Sequence, residues 1–169
     1  MTTTASPATP VQLTWIKSNV RGRYDLTANG PILGSLQRVG FWKSASQADF
    51  KGQTWSFQRS GLASTQIRQE PGAQLIAQFK ANWLGGGMLT FADGQRYQLA
   101  TKGFWRPVWS WINNRGLTLL DVTPHNKSVF LVGAADNRYL PVLIMLSWHQ
   151  ILQANDDAAA AISASSVAG

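Results

Sequence analysis

The chain has 169 residues, of which 44% are apolar and only 14% charged, and this composition excludes an intrinsically disordered protein. It contains no cysteine, so disulfides, a thiol nucleophile and thiolate metal sites are excluded as well. The net charge of +7 is compatible with an anionic partner, and equally with a basic surface that serves only solubility.

The basic charge is concentrated in the first four fifths of the chain. Residues 1–135 hold fourteen Lys and Arg against five acids, whereas residues 136–169 hold one Arg and three Asp. We therefore expect an anionic partner, a phospholipid surface rather than a nucleic acid, to contact the N-terminal body.

Residues 1–10 are rich in Thr, Ala and Pro, which predicts a disordered tail. They lack the basic and apolar regions of a secretory signal, and no run in the chain reaches the ~18 apolar residues of a spanning helix. The sequence therefore predicts a cytoplasmic protein, with any membrane contact limited to the surface.

A succession of short β segments fills most of the chain that follows. Each alternates apolar and polar residues or is uniformly apolar, and Gly-containing turns such as Asn29-Gly30 and Asp93-Gly94 separate them. The segments are 11–17, 23–27, 32–37, 53–59, 63–69, 74–82, 88–91, 96–100, 104–112, 117–122 and 128–132.

Three of these regions carry a more specific expectation. Residues 43–49 are polar and predict a loop or a helical turn, and residues 63–69 predict a polar edge strand. In the segment 128–132 every residue after Ser128 is apolar, which is typical of a strand buried on both faces. We expect ten to twelve strands in total.

A helix is predicted over about residues 139–153. Residues 140–146 carry no polar side chain, and a helix that is apolar on every side must be buried on every side. Pro141 suits the first helical turn, residues 136–138 supply caps, and residues 154–169 form an Ala/Ser-rich tail. The simplest architecture is a mostly β protein, a barrel or strongly curled sheet wrapped around one C-terminal helix.

The order of these elements resembles the tubby C-terminal-like superfamily, which includes LURP-one-related and phospholipid scramblase-like proteins. The similarity covers about residues 11–153. It implies a closed antiparallel barrel of twelve strands around a buried hydrophobic helix, and binding of phosphoinositides or other membrane lipids by basic residues. The residues that carry it are Tyr24-Asp25-Leu26, Asn29-Gly30, Leu33-Gly34-Ser35-Leu36, Leu75-Ile76-Ala77-Gln78-Phe79-Lys80 and the helix.

Little in the chain indicates catalysis. His125 lies in a predicted turn, and His149 lies on the apolar helix, where a satisfied core or rim histidine is expected. Gly85-Gly86-Gly87 lacks the Lys and Ser or Thr of a phosphate loop. Without a paired carboxylate or a nucleophile motif, the sequence predicts neither an enzyme nor a cofactor.

Tryptophans and basic residues between positions 102 and 115 form the candidate binding site. Trp105, Trp109 and Trp111 share one strand parity, so a strand there would present three indoles on one face. Cations beside exposed indoles could hold an anionic head group or stack on bases, whereas buried indoles would belong to the core. The candidate residues are Lys102, Arg106, Arg115, Trp105, Trp109 and Trp111, with Arg21 and Arg23 as a second, weaker patch.

The function that the sequence favours is a non-enzymatic binding module for an anionic ligand, a phospholipid or phosphoinositide head group at a membrane surface. A structural or protein-interaction domain without a small ligand is the alternative. A hydrolase or isomerase in a β-barrel is the least favoured, because no acid–base pair is available.

Overall fold

In the part of the chain that the structure describes, twelve antiparallel strands form a closed barrel around one C-terminal helix, as the sequence predicted. The computed structural model describes residues 10–40, 44–132 and 137–167. The last strand pairs with the first, which closes the barrel. The strands are β1 (Val11–Lys17), β2 (Arg23–Thr27), β3 (Ile32–Val39), β4 (Ala45–Phe50), β5 (Gln53–Ser60), β6 (Ser64–Glu70), β7 (Gln74–Ala81), β8 (Gly87–Phe91), β9 (Arg96–Lys102), β10 (Val108–Asn113), β11 (Thr118–Thr123) and β12 (Ser128–Leu131), and the helix is α1 (Leu140–Val167).

Alternation along the strands separates the barrel interior from its outer surface. In β5, Trp55 and Phe57 are buried, whereas Thr54 and Ser56 are half-buried and Gln58 is exposed. Successive side chains of a strand point to opposite faces, so one face of each strand, mostly apolar, meets the others inside the barrel. A core of large apolar side chains results, and it surrounds the helix.

The first half of α1 fills the barrel. Residues 142–149 are all buried, so every face of this part of the helix is covered. Trp148 stacks on Trp15 of the wall with ring centroids 5.3 Å apart. At Gly34 a Cβ would lie 2.4 Å from the carbonyl oxygen of Asp49 and 2.5 Å from the Met145 methyl, so only glycine fits this approach of wall and helix.

The helix is longer than the sequence predicted. It continues to Val167, beyond the end expected at about residue 153, so most of the Ala/Ser-rich tail is helical. Ala158–Ala161 favours a helix without burial, since alanine has the highest helix propensity. Asp156 pairs with Arg38 and Asp157 with Arg59, which fixes the helix where it leaves the barrel. Residues 157–167 are exposed.

Three local expectations differ from the structure. Residues 45–50 form β4, because Ser46 and Ala48 face inward and their small side chains leave room for the helix. β6 lies between β5 and β7, so it is not an edge strand. In β12, Val129 is buried and Phe130 only half-buried, so one face is covered and not two. Residues 1–9 of the predicted tail and Asp136 of the predicted caps lie outside the described residues.

The up-and-down order of the strands gives the barrel two distinct rims. Each hairpin from an odd-numbered strand to the next lies at one end, called here the upper rim, and each hairpin from an even-numbered strand lies at the lower rim. The helix starts at the lower rim, because β12 ends there, and leaves through the upper rim. The described residues of the upper-rim connections are 18–22, 40, 44, 61–63, 82–86, 103–107 and 124–127.

Candidate functional site

Three neighbouring hairpins of the upper rim carry large apolar side chains into solvent. They join β5 to β6, β7 to β8 and β9 to β10, which are consecutive around the barrel. These side chains, called here the apolar tips, are Leu62, Trp83, Leu84, Phe104 and Trp105, with exposed fractions of 92%, 91%, 67%, 87% and 90%. Exposed aromatic and aliphatic residues clustered on one surface are typical of a binding interface.

Local hydrogen bonds hold the tips in position. The Asn82 side-chain oxygen accepts the backbone N–H groups of Leu84 and Gly86, each at 3.0 Å. The Thr101 hydroxyl donates to the Gly85 carbonyl at 2.6 Å, which ties this loop to β9. In the next hairpin, Phe104 and Trp105 pack edge to face with centroids 5.3 Å apart. The tips are therefore presented by folded loops.

Exposed cations lie beside the tips and elsewhere on the same rim. Lys102 ends β9 and Arg106 lies in the following hairpin, beside Trp105. Further exposed cations of the upper rim and adjoining strand ends are Lys17, Arg21, Lys80 and Lys127. Asp49 near the end of β4, Glu70 at the end of β6 and Asp93 between β8 and β9 lie towards the lower rim. The two carboxylates at the helix exit, Asp156 and Asp157, each pair with an arginine of the upper rim. The upper rim therefore carries more exposed large apolar side chains and more exposed cations than the lower rim.

The structure brings together only part of the predicted site. Lys102, Trp105 and Arg106 lie together at the upper rim and are exposed. Arg115 lies in the hairpin from β10 to β11, at the lower rim, so it is not part of the same surface. The prediction that Arg115 lies beside Trp105 is wrong. Strand β10 runs the height of the barrel and separates Arg115 at the lower rim from Trp105 at the upper rim.

The three tryptophans also separate. Trp111 is fully buried, and its indole N–H donates to the Ser147 hydroxyl at 2.6 Å. Trp109 is half-buried and packs against the core. Trp105 precedes β10, which begins at Val108. Its side chain therefore does not belong to the strand face that turns Trp109 and Trp111 towards the core. Placing Trp111 on a ligand-binding face was therefore wrong.

Four residues of the apolar tips were missed by the sequence analysis: Leu62, Trp83, Leu84 and Phe104. A signal was available, because each of them is next to a glycine or separated from one by a single residue. Such positions are typical of turns, which project beyond the barrel core. What the linear pattern does not reveal is that the three turns are neighbours on one rim.

A cavity of about 200 Å³ lies beneath the tips, beside the exit of α1. An Nη1 atom of Arg59 lies 3.0 Å and 3.2 Å from the two carboxylate oxygens of Asp157, and its Nη2 donates to the Leu62 carbonyl at 2.9 Å. Gln150 donates to the Thr65 hydroxyl at 2.8 Å. Phe79, Leu99 and Trp109 line it on the barrel side, together with Ser64, Asn82 and Gln153.

A second cavity, of about 350 Å³, lies at the lower rim near the start of α1. The Tyr139 hydroxyl donates to Asp93 and accepts from Arg138. The hydrogen bond from Tyr139, and then the N–H of Gln95 and the Arg138 cation, lower the pKa of Asp93. Tyr139 also stacks on Phe91 with centroids 3.8 Å apart. These contacts fix the start of the helix to the β8–β9 hairpin.

The two histidines lie where the sequence predicted, but the core histidine is only partly satisfied. His149 is buried with Nδ1 2.8 Å from the Ser46 hydroxyl oxygen, whereas its Nε2 is buried without a hydrogen-bond partner among the described residues. Burial, with smaller contributions from the Arg38 and Arg59 cations, lowers its pKa to about 4, so it is neutral near pH 7. His125 is exposed in the hairpin from β11 to β12.

In residues 10–40, 44–132 and 137–167, no three His, Cys, Asp or Glu side chains lie close enough to hold a metal ion. Nor does any helix within those ranges combine the length and apolar character needed to cross a bilayer.

Comparison of the chain with protein-family models, with curated proteins and with solved structures found no match. The resemblance to the tubby C-terminal-like superfamily therefore stays a prediction, and the function is argued from the upper rim itself.

Proposed function

We propose that the protein is a peripheral membrane-binding module that attaches to anionic phospholipid through its upper rim. The observation that supports this most is that the apolar tips and a set of exposed cations lie on the same rim of the barrel. Tryptophan and phenylalanine favour the boundary between head groups and acyl chains, and Lys and Arg are attracted to anionic lipid.

The magnitudes are sufficient for reversible attachment. Full burial of one large apolar side chain contributes on the order of 1.5–3 kcal/mol, and the tips supply five such side chains. Each Lys or Arg near an anionic leaflet adds about 1 kcal/mol. Partial insertion of the tips, together with Lys102 and Arg106, would therefore offset the cost of immobilising the protein on the surface.

Charge complementarity favours lipid over a protein partner. An apolar protein interface is depleted of Lys in its centre, whereas here the exposed Lys102 lies three residues before Trp105. The lower rim offers a contrast, because among the described residues its exposed large apolar side chains include no aromatic one. A membrane contacted by the upper rim alone would orient the barrel axis towards the bilayer.

Co-sedimentation with vesicles tests the proposal. Wild-type protein should bind phosphatidylcholine vesicles that contain 30% phosphatidylserine, and bind pure phosphatidylcholine weakly, at low salt. The double variant Trp83→Ala/Trp105→Ala and the charge reversal Lys102→Glu/Arg106→Glu should each lower the bound fraction at least tenfold, since each removes roughly 2 kcal/mol or more.

Matched substitutions at the lower rim provide the control. Ile32→Ala/Leu117→Ala removes two exposed apolar side chains, and Arg96→Glu/Arg115→Glu reverses two exposed charges, at the opposite end. Both controls should bind anionic vesicles like wild type. Equal sedimentation with neutral and anionic vesicles, or an equal loss from upper-rim and lower-rim variants, would refute attachment through the upper rim.

A further inference from the structure

The cavity beneath the apolar tips is lined by an ion pair, Arg59 with Asp157, that has no role in the proposed membrane attachment. We propose that this cavity binds a phosphate monoester of a lipid head group, and that Asp157 competes with this phosphate for Arg59. The lipid source rests on the proposed function, whereas the phosphate chemistry rests on the cavity.

Arg59 is held in place independently of its carboxylate partner. Its Nη2 donates to the Leu62 carbonyl, so the guanidinium stays at the cavity when Asp157 moves away. The Asp157 side chain is the more exposed of the pair, 58% against 30% for Arg59. An ion pair this exposed contributes little to stability, so a stronger anion can replace the carboxylate.

A phosphate monoester is the stronger anion for this site. It carries up to two negative charges and three acceptor oxygens, and it matches the planar guanidinium through two parallel hydrogen bonds. Neutral donors line the rest of the cavity, namely the hydroxyls of Ser64 and Thr65 and the amides of Asn82 and Gln150. Among the described residues that line it, Asp157 is the only acidic one.

The position of the cavity favours a lipid as the source of the phosphate. Leu62 lies on its edge, and the loop of residues 82–86 that carries Trp83 and Leu84 forms another side. With these tips in the acyl boundary, the cavity lies at the depth of the head groups. A head group could therefore enter while its acyl chains remain in the bilayer.

The neighbouring ion pair makes the test specific. Arg38 pairs with Asp156, one residue earlier on the helix. A change at Asp157 therefore leaves the exit of α1 anchored. The lower rim supplies an equivalent exposed pair, Arg138 with Asp93, as a control for the loss of one negative charge.

Two kinds of vesicle distinguish a phosphate site from general attraction. One contains phosphatidic acid, a monoester, and the other contains phosphatidylglycerol, a diester, at matched surface charge. Asp157→Asn should raise affinity for the phosphatidic acid vesicles about fivefold, because it removes a competing charge within hydrogen-bond distance of Arg59. Arg59→Gln should lower that affinity about tenfold, while binding to phosphatidylglycerol changes less than twofold. Asp93→Asn should match wild type on both.

The outcomes separate this inference from the proposed function. The phosphate site would be overturned if Asp157→Asn and Asp93→Asn changed the affinity for phosphatidic acid vesicles equally. It would also be overturned if Arg59→Gln bound these vesicles like wild type. Neither result would contradict vesicle binding through the upper rim. Glycerol 3-phosphate in solution is the second probe, measured by titration calorimetry. If no vesicle binds the protein but glycerol 3-phosphate does, with the same response to both variants, the phosphate site holds and its lipid source is wrong. No binding by either probe overturns both.

Discussion

The indole of Trp111 and the hydroxyl of Ser147 join the barrel wall to the helix inside it. Trp111 Nε1 donates to Ser147 Oγ at 2.6 Å, and that hydroxyl donates in turn to the Leu143 carbonyl at 2.6 Å. Both side chains are fully buried, so no solvent can replace either bond. This chain of two bonds, together with the buried contact between His149 and Ser46, fixes the height and rotation of α1 in a mostly apolar core.

Replacing Ser147 by alanine should lower the free energy of unfolding by about 1–3 kcal/mol, because the Trp111 N–H would remain buried without an acceptor. Denaturation with urea measures the change. Ser163→Ala is the matched control, since Ser163 lies on the exposed part of the same helix and bonds only to the Ala159 carbonyl. Equal effects of the two substitutions would show that the buried bond contributes nothing specific.

His149 should make stability depend on pH in a defined window. Its pKa is about 4 in the folded protein, below the ordinary value of 6.5, because burial disfavours the charged ring. The unfolded chain therefore binds a proton that the folded protein rejects. As pH falls from 6.5 towards 4, the free energy of unfolding should decrease by a total of about 3 kcal/mol from this group, with no further loss below pH 4.

Comparison of wild type with His149→Gln isolates this contribution. Between pH 7 and pH 5 the wild type should lose about 2 kcal/mol more than the variant, whatever the stability of the variant at pH 7. Urea denaturation at the two pH values gives both differences. Identical losses in the two proteins would mean that His149 titrates normally in the folded state.

Removing residues 158–169 should leave the barrel folded. The described side chains of this segment are exposed, and both ion pairs at the helix exit lie before it. We expect the free energy of unfolding to change by less than about 1 kcal/mol. A chain that stops at residue 149 loses the buried side chains of Ile151 and Leu152 as well, and should lose several kcal/mol. A large loss from the shorter deletion would indicate that the exposed helix packs on something.

The sequence predicts the barrel and its central helix because both follow from side-chain alternation and burial. Trp55 and Phe57 alternate with polar neighbours, and residues 140–146 have no polar face. It fails at β4 because Ser46 and Ala48 face inward without being large or apolar enough to mark the strand. The inward face there is set by the space that the helix requires.

The candidate site was only partly predictable for a different reason. Trp105 and Trp111 look equivalent in the sequence, and only the position where β10 begins decides which of them is buried. Leu62, Trp83 and Phe104 lie about twenty residues apart and become neighbours because three hairpins follow one another around a closed barrel. The site therefore depends on topology, which no local pattern contains.

Salt should separate the two components of membrane binding. Raising the salt concentration from 0.05 M to 0.5 M shortens the screening length well below the ~10 Å found at 0.1 M and should release most of the wild-type protein from anionic vesicles. Lys102→Gln/Arg106→Gln should weaken binding and flatten its salt dependence, since fewer charges then face the lipid. Trp83→Ala/Trp105→Ala should weaken binding without changing the slope, because apolar insertion is not screened. Vesicle sedimentation across the salt series measures both the strength of binding and its dependence on salt concentration. The same salt dependence in wild type and both variants would contradict a contact in which Lys102 and Arg106 approach the membrane together with the tips.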